Sequence, residues 1–113
     1  MVPEVGQALT IELPQQYSPG ALLTIKVHYT TNDQATAFSW LTPQQTLGKK
    51  LPYLFTQCQF LACRSVAPLQ DTPAIKSTYS ADVTVPKEFT VKMSANDTGA
   101  VENGQLKTFK FYN

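Results

Sequence analysis

The sequence predicts an all-β fold, and three observations carry that prediction. Apolar residues recur with a period of two rather than 3.6. Glycine and proline fall between the alternating stretches. No helical pattern exceeds a single turn.

The clearest alternation is LLTIKVHYTT, where Leu23, Ile25, Val27 and Tyr29 share one face and Thr24, Lys26, His28 and Thr30 the other. STYSADVTVP repeats it, with Tyr79, Ala81, Val83 and Val85 against Thr78, Ser80, Asp82 and Thr84. EFTVKMS offers Phe89, Val91 and Met93, and LKTFKFYN offers Phe109 and Phe111. These read as half-buried antiparallel strands, apolar on one face and polar on the other. LTIEL near the start and TAFSWL around Phe38 and Trp40 are shorter candidates. Pro14, Pro19-Gly20, Pro86, Gly99 and Gly104 punctuate the joins. The one helical signal is Thr42-Pro43-Gln44-Gln45: a capping threonine, a proline at the first helical position and a glutamine three residues after the cap. It predicts a short turn near 42–47, with Gly48 placed to stop it.

A chain of 113 residues suits one domain, 1–113, with one modest core. Nine Lys and Arg against eight Asp and Glu leave a net charge of +1, so no basic patch suggests nucleic acid or an anionic membrane. No apolar run approaches the roughly 20 residues that span a bilayer. MVPEVGQALT lacks the basic start and apolar stretch of an export signal, which predicts a cytoplasmic location.

Cys58 and Cys63 point the same way if the segment between them is a strand. Five positions apart on one strand, they face opposite sides and lie roughly 16 Å apart, far beyond the about 7 Å that a disulfide tolerates. They are then two reduced thiols; a turn between them would change that. Asn96-Asp97-Thr98 matches a glycosylation sequon, a pattern short enough to occur by chance.

The chemistry inventory is short. His28 is the single histidine and sits on a polar strand face, so solvent exposure is expected. One His and two separated Cys cannot form a three-ligand zinc set without several carboxylates. The five glycines are scattered, leaving no phosphate-binding loop, and no nucleophile has a base placed beside it.

One stretch resists the sandwich reading. In PYLFTQCQFLACRSVAPLQDTPAIK, Gln57 and Gln59 flank a cysteine inside an apolar, aromatic run. Residue types alone suggest an exposed strand face, with Cys58 and Phe60 turned inward. Arg64 and Asp71 suggest an ion pair across a turn, helped by Asp71-Thr72-Pro73, whose short acid can bond nearby backbone amides.

The order of these pieces resembles a known family. YTT at 29–31, WLTPQQT at 40–46, PYLFTQCQ at 52–59, CRSVAPLQDTPAIK at 63–76, VTVPKE at 83–88 and MSA at 93–95 are similar to the leukotriene A(4) hydrolase and aminopeptidase B-like zinc aminopeptidases, of the gluzincin aminopeptidase family. The resemblance implies the latter part of a saddle-like N-terminal β domain. It implies zinc and peptide substrates for a longer parent enzyme, with epoxide hydrolysis as a further activity of this branch. The HExxH helix, the later glutamate ligand and the GxMEN loop are absent from these residues, so this portion is expected to bind no zinc and to be inactive alone. The ending TFKFYN reads as a boundary inside a longer protein.

Carried over by position, Gln57 and Gln59 match the Q-x-Q that reaches into the active-site cleft. There Gln59 would accept a hydrogen bond from the substrate's free amine, where the wider family places a glutamate. Arg64, Asp71 and Pro73 match a scaffold stretch. Leu69 and Ala67 depart from the family pattern, where a cysteine and a bulkier apolar residue are usual; both read as packing changes. The competing reading is a free-standing β-sandwich module that binds a partner chain through an exposed strand edge, and such edges also make self-association of the portion an expectation.

Overall fold

A computed structural model describes residues 6–113; the opening MVPEV of the stretch read for an export signal lies outside them. The fold is all-β: the described residues form five strands in two sheets and two single 3-10 turns. β1 (Phe38–Leu41) pairs with β2 (Tyr53–Thr56). β3 (Ser80–Pro86), β4 (Asn96–Asn103) and β5 (Leu106–Tyr112) form a three-stranded sheet in the order β3-β5-β4. Two compact units result: the described part of Met1–Phe38 with Thr56–Asp71, and Ser39–Phe55 with Thr72–Asn113.

In the second unit the three-stranded sheet follows from alternation. β5 lies between two antiparallel neighbours, with Val83 opposite Phe109 and Ala81 opposite Phe111 on the β3 side. Ala100 stands opposite Phe109 on the β4 side. Phe109 and Phe111 are buried, and Ala81, Val83 and Val85 are half-buried. The other face is polar: Thr84 and Thr108 hydroxyls meet at 2.7 Å, and Lys110 Nζ reaches Asp82 Oδ2 at 3.2 Å. A one-residue slip would exchange these faces, so burial and polar pairing select the same register. Lys107 Nζ lies 5.3 Å from the centroid of the Phe109 ring and 3.3 Å from Glu102 Oε1, placing its charge at the rim of the apolar face.

β4 departs from the expectation of punctuation around Gly99. Its register jumps between Asp97 and Gly99, leaving Thr98 as an extra residue in a bulge. Gly99 takes φ +123°, a conformation open to glycine. Its amide donates to Asp97 Oδ1 at 3.0 Å, and Lys92 Nζ donates to Asp97 Oδ2 at 3.1 Å. The Gly99 amide first, and the Lys92 ammonium after it, hold the Asp97 carboxyl below its ordinary pKa. A two-residue loop, Gly104–Gln105, then joins β4 to β5, with Gly104 at positive φ.

The turn expected near 42–47 forms as a 3-10 helix over Pro43–Gln45. Gln45 Oε1 accepts from the Thr42 amide at 2.9 Å, and the Gln45 amide donates to Thr42 O at 2.9 Å. These bonds satisfy donors that a helix start leaves unpaired.

Three expected strands do not form. LTIEL, LLTIKVHYTT and EFTVKMS carry no strand. Leu23, Ile25 and Tyr29 are 44%, 54% and 56% exposed. Alternation marks an apolar face, but a strand also needs a neighbour for its backbone N–H and C=O groups. Among the described residues no strand pairs with these segments.

Candidate functional site

The candidate site is built on the first unit, around the segment that follows β2. The extended backbone of β2 ends at Thr56, and a turn spans 59–62. The Ala62 amide closes it on Cys58 O at 3.0 Å. The second 3-10 helix, Cys63–Ser65, follows directly.

This turn overturns the expectation of two separated thiols. Cys58 and Cys63 are joined by a disulfide, with Cα atoms 4.7 Å apart, and no free cysteine remains. A separation of roughly 16 Å requires extended backbone across all five steps; the turn folds the chain back instead. The same turn removes the inward anchor expected at Phe60, which is 82% exposed, while Cys58 is half-buried. Period-two projection applies to extended backbone alone. Gln57 lies before the turn and Gln59 inside it, and both are exposed. Among the described residues neither side-chain amide has a hydrogen-bond partner.

Ala37 holds the base of this loop. It is fully buried; its carbonyl accepts from the Gln57 amide at 2.9 Å and its amide donates to Ser65 Oγ at 3.0 Å. Ser65 Oγ in turn donates to Ala62 O at 2.7 Å. The residues on either side of the loop are thereby tied to one small residue, where a larger side chain would find no room. Sequence reasoning missed Ala37 and Ser65, because hydrogen bonds 28 residues apart leave no periodic signal.

Arg64 and Asp71 form the ion pair suggested by their spacing. Arg64 Nε lies 3.0 Å from Asp71 Oδ2, the Arg64 amide donates to the same oxygen at 3.0 Å, and Nη2 donates to the Asp71 carbonyl at 3.4 Å. The carboxylate thus bonds the amide of Arg64 across the turn, while the Ala74 amide is taken by Thr72 Oγ1 at 3.4 Å. Pro73 is exposed. Partial withdrawal from water pushes the Asp71 carboxyl up, but the Arg64 hydrogen bonds and charge outweigh this and hold it below its ordinary 3.8. A depressed folded-state pKa contributes stability that is present above the ordinary value and lost as pH falls through the folded value. Asp71→Asn is therefore expected to lower the Tm at neutral pH and to flatten its decline below about pH 4. Thermal melts of both proteins from neutral to strongly acid pH check this; parallel declines would exclude Asp71 from the acid transition.

Beside the pair lies an open cleft of about 450 Å³, lined by residues including Tyr29, Asn32, Gln34, Arg64 and Ser65. Gln57 and Gln59 do not line it. His28 is exposed. No group of three or more His, Cys, Asp or Glu that could hold a metal ion occurs among the described residues, and no described helix is long and apolar enough to cross a membrane.

Comparison with known proteins identifies the family of the chain. Residues 1–113 match the peptidase M1 N-terminal domain. The chain is 40% identical over 107 residues to leukotriene A-4 hydrolase of Xenopus laevis, covering 95% of this chain and 18% of that protein. It is 46% identical over 99 residues to leucine aminopeptidase 2 of Yarrowia lipolytica, covering 83% of this chain and 15% of that protein. A leukotriene A-4 hydrolase homolog of Botryotinia fuckeliana is 37% identical over 112 residues, or 95% of this chain and 17% of that protein. The chain therefore spans less than a fifth of the length of these relatives. The family match extends over the whole chain, and by it this chain belongs to the peptidase M1 N-terminal domain family.

Proposed function

We propose that residues 1–113 are part of the N-terminal β domain of a cytoplasmic zinc metallo-aminopeptidase that removes N-terminal residues from peptides. In this reading Gln57 and Gln59 contribute to binding the substrate's amino group, and epoxide hydrolysis of the leukotriene A(4) hydrolase kind is the second activity to assay. The observation that carries the proposal is the family match over the whole chain, with relatives named as aminopeptidases and leukotriene A-4 hydrolases. The amides of Gln57 and Gln59, exposed and without a hydrogen-bond partner among the described residues, support it, since each can offer a carbonyl oxygen to an ammonium N–H without bringing a full charge.

The described residues do not fit a zinc site. Both cysteines are in the disulfide, and no cluster of ligand side chains occurs among them. In the proposal the metal is held by other parts of the enzyme, and this portion binds and orients the peptide.

Zinc content and turnover of aminoacyl anilides, measured on the full-length protein and on the 113-residue chain, test the proposal. The full-length protein is expected to hold stoichiometric zinc and to turn over; the short chain is expected to do neither. Tight stoichiometric zinc with turnover by the short chain would overturn the division of labour. A full-length protein with neither property, but with a partner chain bound along a strand edge, would favour the β-sandwich module.

A further inference from the structure

We propose that Cys58 and Cys63 are a reversible redox site that controls the order of Gln59. The pair encloses Gln59, Phe60, Leu61 and Ala62 in a short loop. Little besides the disulfide holds that loop. Phe60 is 82% and Leu61 43% exposed, so apolar packing holds the tip of the loop only in part. Outside bonds reach it at the Ala62 carbonyl alone, from the Ser65 amide at 3.0 Å and Oγ at 2.7 Å. The one backbone bond across it runs from the Ala62 amide to Cys58 O. Its flanks are anchored independently: Gln57 to the Ala37 carbonyl, Ser65 to the Ala37 amide, and Arg64 to Asp71. Opening the bond therefore frees the turn at 59–62, whose one protected amide is that of Ala62, and leaves Gln57 in place.

The chemistry is thiol–disulfide exchange. A dithiol reductant attacks one sulfur through its thiolate, forming a mixed disulfide and releasing one cysteine thiolate. Its second thiol displaces the other cysteine. Two electrons and two protons pass to the chain, giving two thiols, and the reductant leaves as its own disulfide. Both cysteines are half-buried rather than enclosed in a core. In a reducing compartment a disulfide of this accessibility is of the transient, sensing kind.

The kinetic consequence rests on the proposed role of Gln59 in peptide binding; the structural consequence does not. With the bond closed, Gln59 is pre-ordered. With it open, binding must re-order about one residue of backbone, which is expected to lower peptide kcat/KM about tenfold.

The experiment uses the full-length protein equilibrated in buffers of increasing dithiothreitol relative to its oxidised form. Alkylation with peptide mapping reads the thiols of residues 58 and 63, and amide hydrogen exchange reads residues 57–65. The expected result is a reversible transition that exposes both thiols together and accelerates exchange at 59–62, with the Gln57 amide unchanged. A Cys58→Ser/Cys63→Ser variant is expected to match the reduced protein without any reductant; Cys58→Ala/Cys63→Ala provides the same comparison if the serine pair folds poorly. Thiols that stay blocked in excess dithiothreitol, thiols already free in the oxidised buffer, or exchange at 59–62 that does not respond would each overturn the redox site. A reversible transition with faster exchange at 59–62 but unchanged peptide kinetics would leave the redox site standing and remove Gln59 from substrate binding.

Discussion

Phe111→Ala is expected to destabilise the chain by about 3–5 kcal/mol, the cost of removing a buried aromatic ring and leaving a cavity behind. Phe111 is 3% exposed and sits on β5, the central strand, so both neighbouring strands depend on it. Ala81 lies opposite it on β3 and Asp97 on β4, and neither is large enough to fill the space of a lost ring. Phe109, two residues earlier on the same face, is 7% exposed and shares that burial. For a domain of this size the loss corresponds to a Tm lower by more than about 10 °C. Val101→Ala on β4 is the control. Its side chain is 56% exposed, and the change should cost under about 1 kcal/mol. Urea and thermal unfolding followed by circular dichroism read both variants. A Phe111→Ala loss as small as that of Val101→Ala would place the ring in solvent and contradict the packing of this sheet.

That sheet was legible in the sequence because its two signals agree. In β3 and β5 the period-two pattern puts Ala81, Val83, Val85, Phe109 and Phe111 on one face, and the register pairs Ala81 with Phe111 and Val83 with Phe109, while Val85 faces Lys107 at the rim. β4 was not legible: NDTGAVEN has no alternation, since its residues are exposed on both faces and a bulge interrupts it at Thr98. Its pairing comes from the hairpin, and Gly104, the first residue of the loop between β4 and β5, was the available signal. The opposite error occurred at LLTIKVHYTT, where alternation was present and a pairing strand, among the described residues, was not. Alternation reports which face could be buried; pairing is decided by residues elsewhere.

The site shows the same division. Arg64 and Asp71 were legible because a short turn brings opposite charges seven residues apart together, and the ion pair forms at 3.0 Å. The Cys58–Cys63 bond was not, because their expected separation depended on extending a strand through 57–63. The aromatic run around Phe55 and Phe60 favoured that extension. No glycine or proline marks the turn at 59–62, so the usual punctuation was missing where the chain reverses.

Gln59→Leu in the full-length, oxidised enzyme is expected to lower kcat/KM for peptide substrates about ten- to a hundredfold. In the proposed role, Gln59 offers its carbonyl oxygen to the substrate's α-ammonium group. Leucine is similar in size and has no acceptor, so a charged donor loses one partner; hydrogen bonds to charged groups contribute roughly 1.5–3 kcal/mol. Folding and zinc content should be unchanged, because the Gln59 side chain is exposed and has no hydrogen-bond partner among the described residues. Gln59→Glu separates acceptor geometry from simple bulk. It keeps the oxygen, adds a negative charge opposite the ammonium, and is expected to hold or tighten amine recognition. An N-acetylated peptide carries no ammonium group, so the native enzyme and the Gln59→Leu variant should bind it equally well as a competitive ligand. Should Gln59→Leu leave peptide kinetics unchanged while zinc content and stability are intact, Gln59 would be an ordinary surface residue on a disulfide-closed loop. The amine would then have to be held by groups outside this domain.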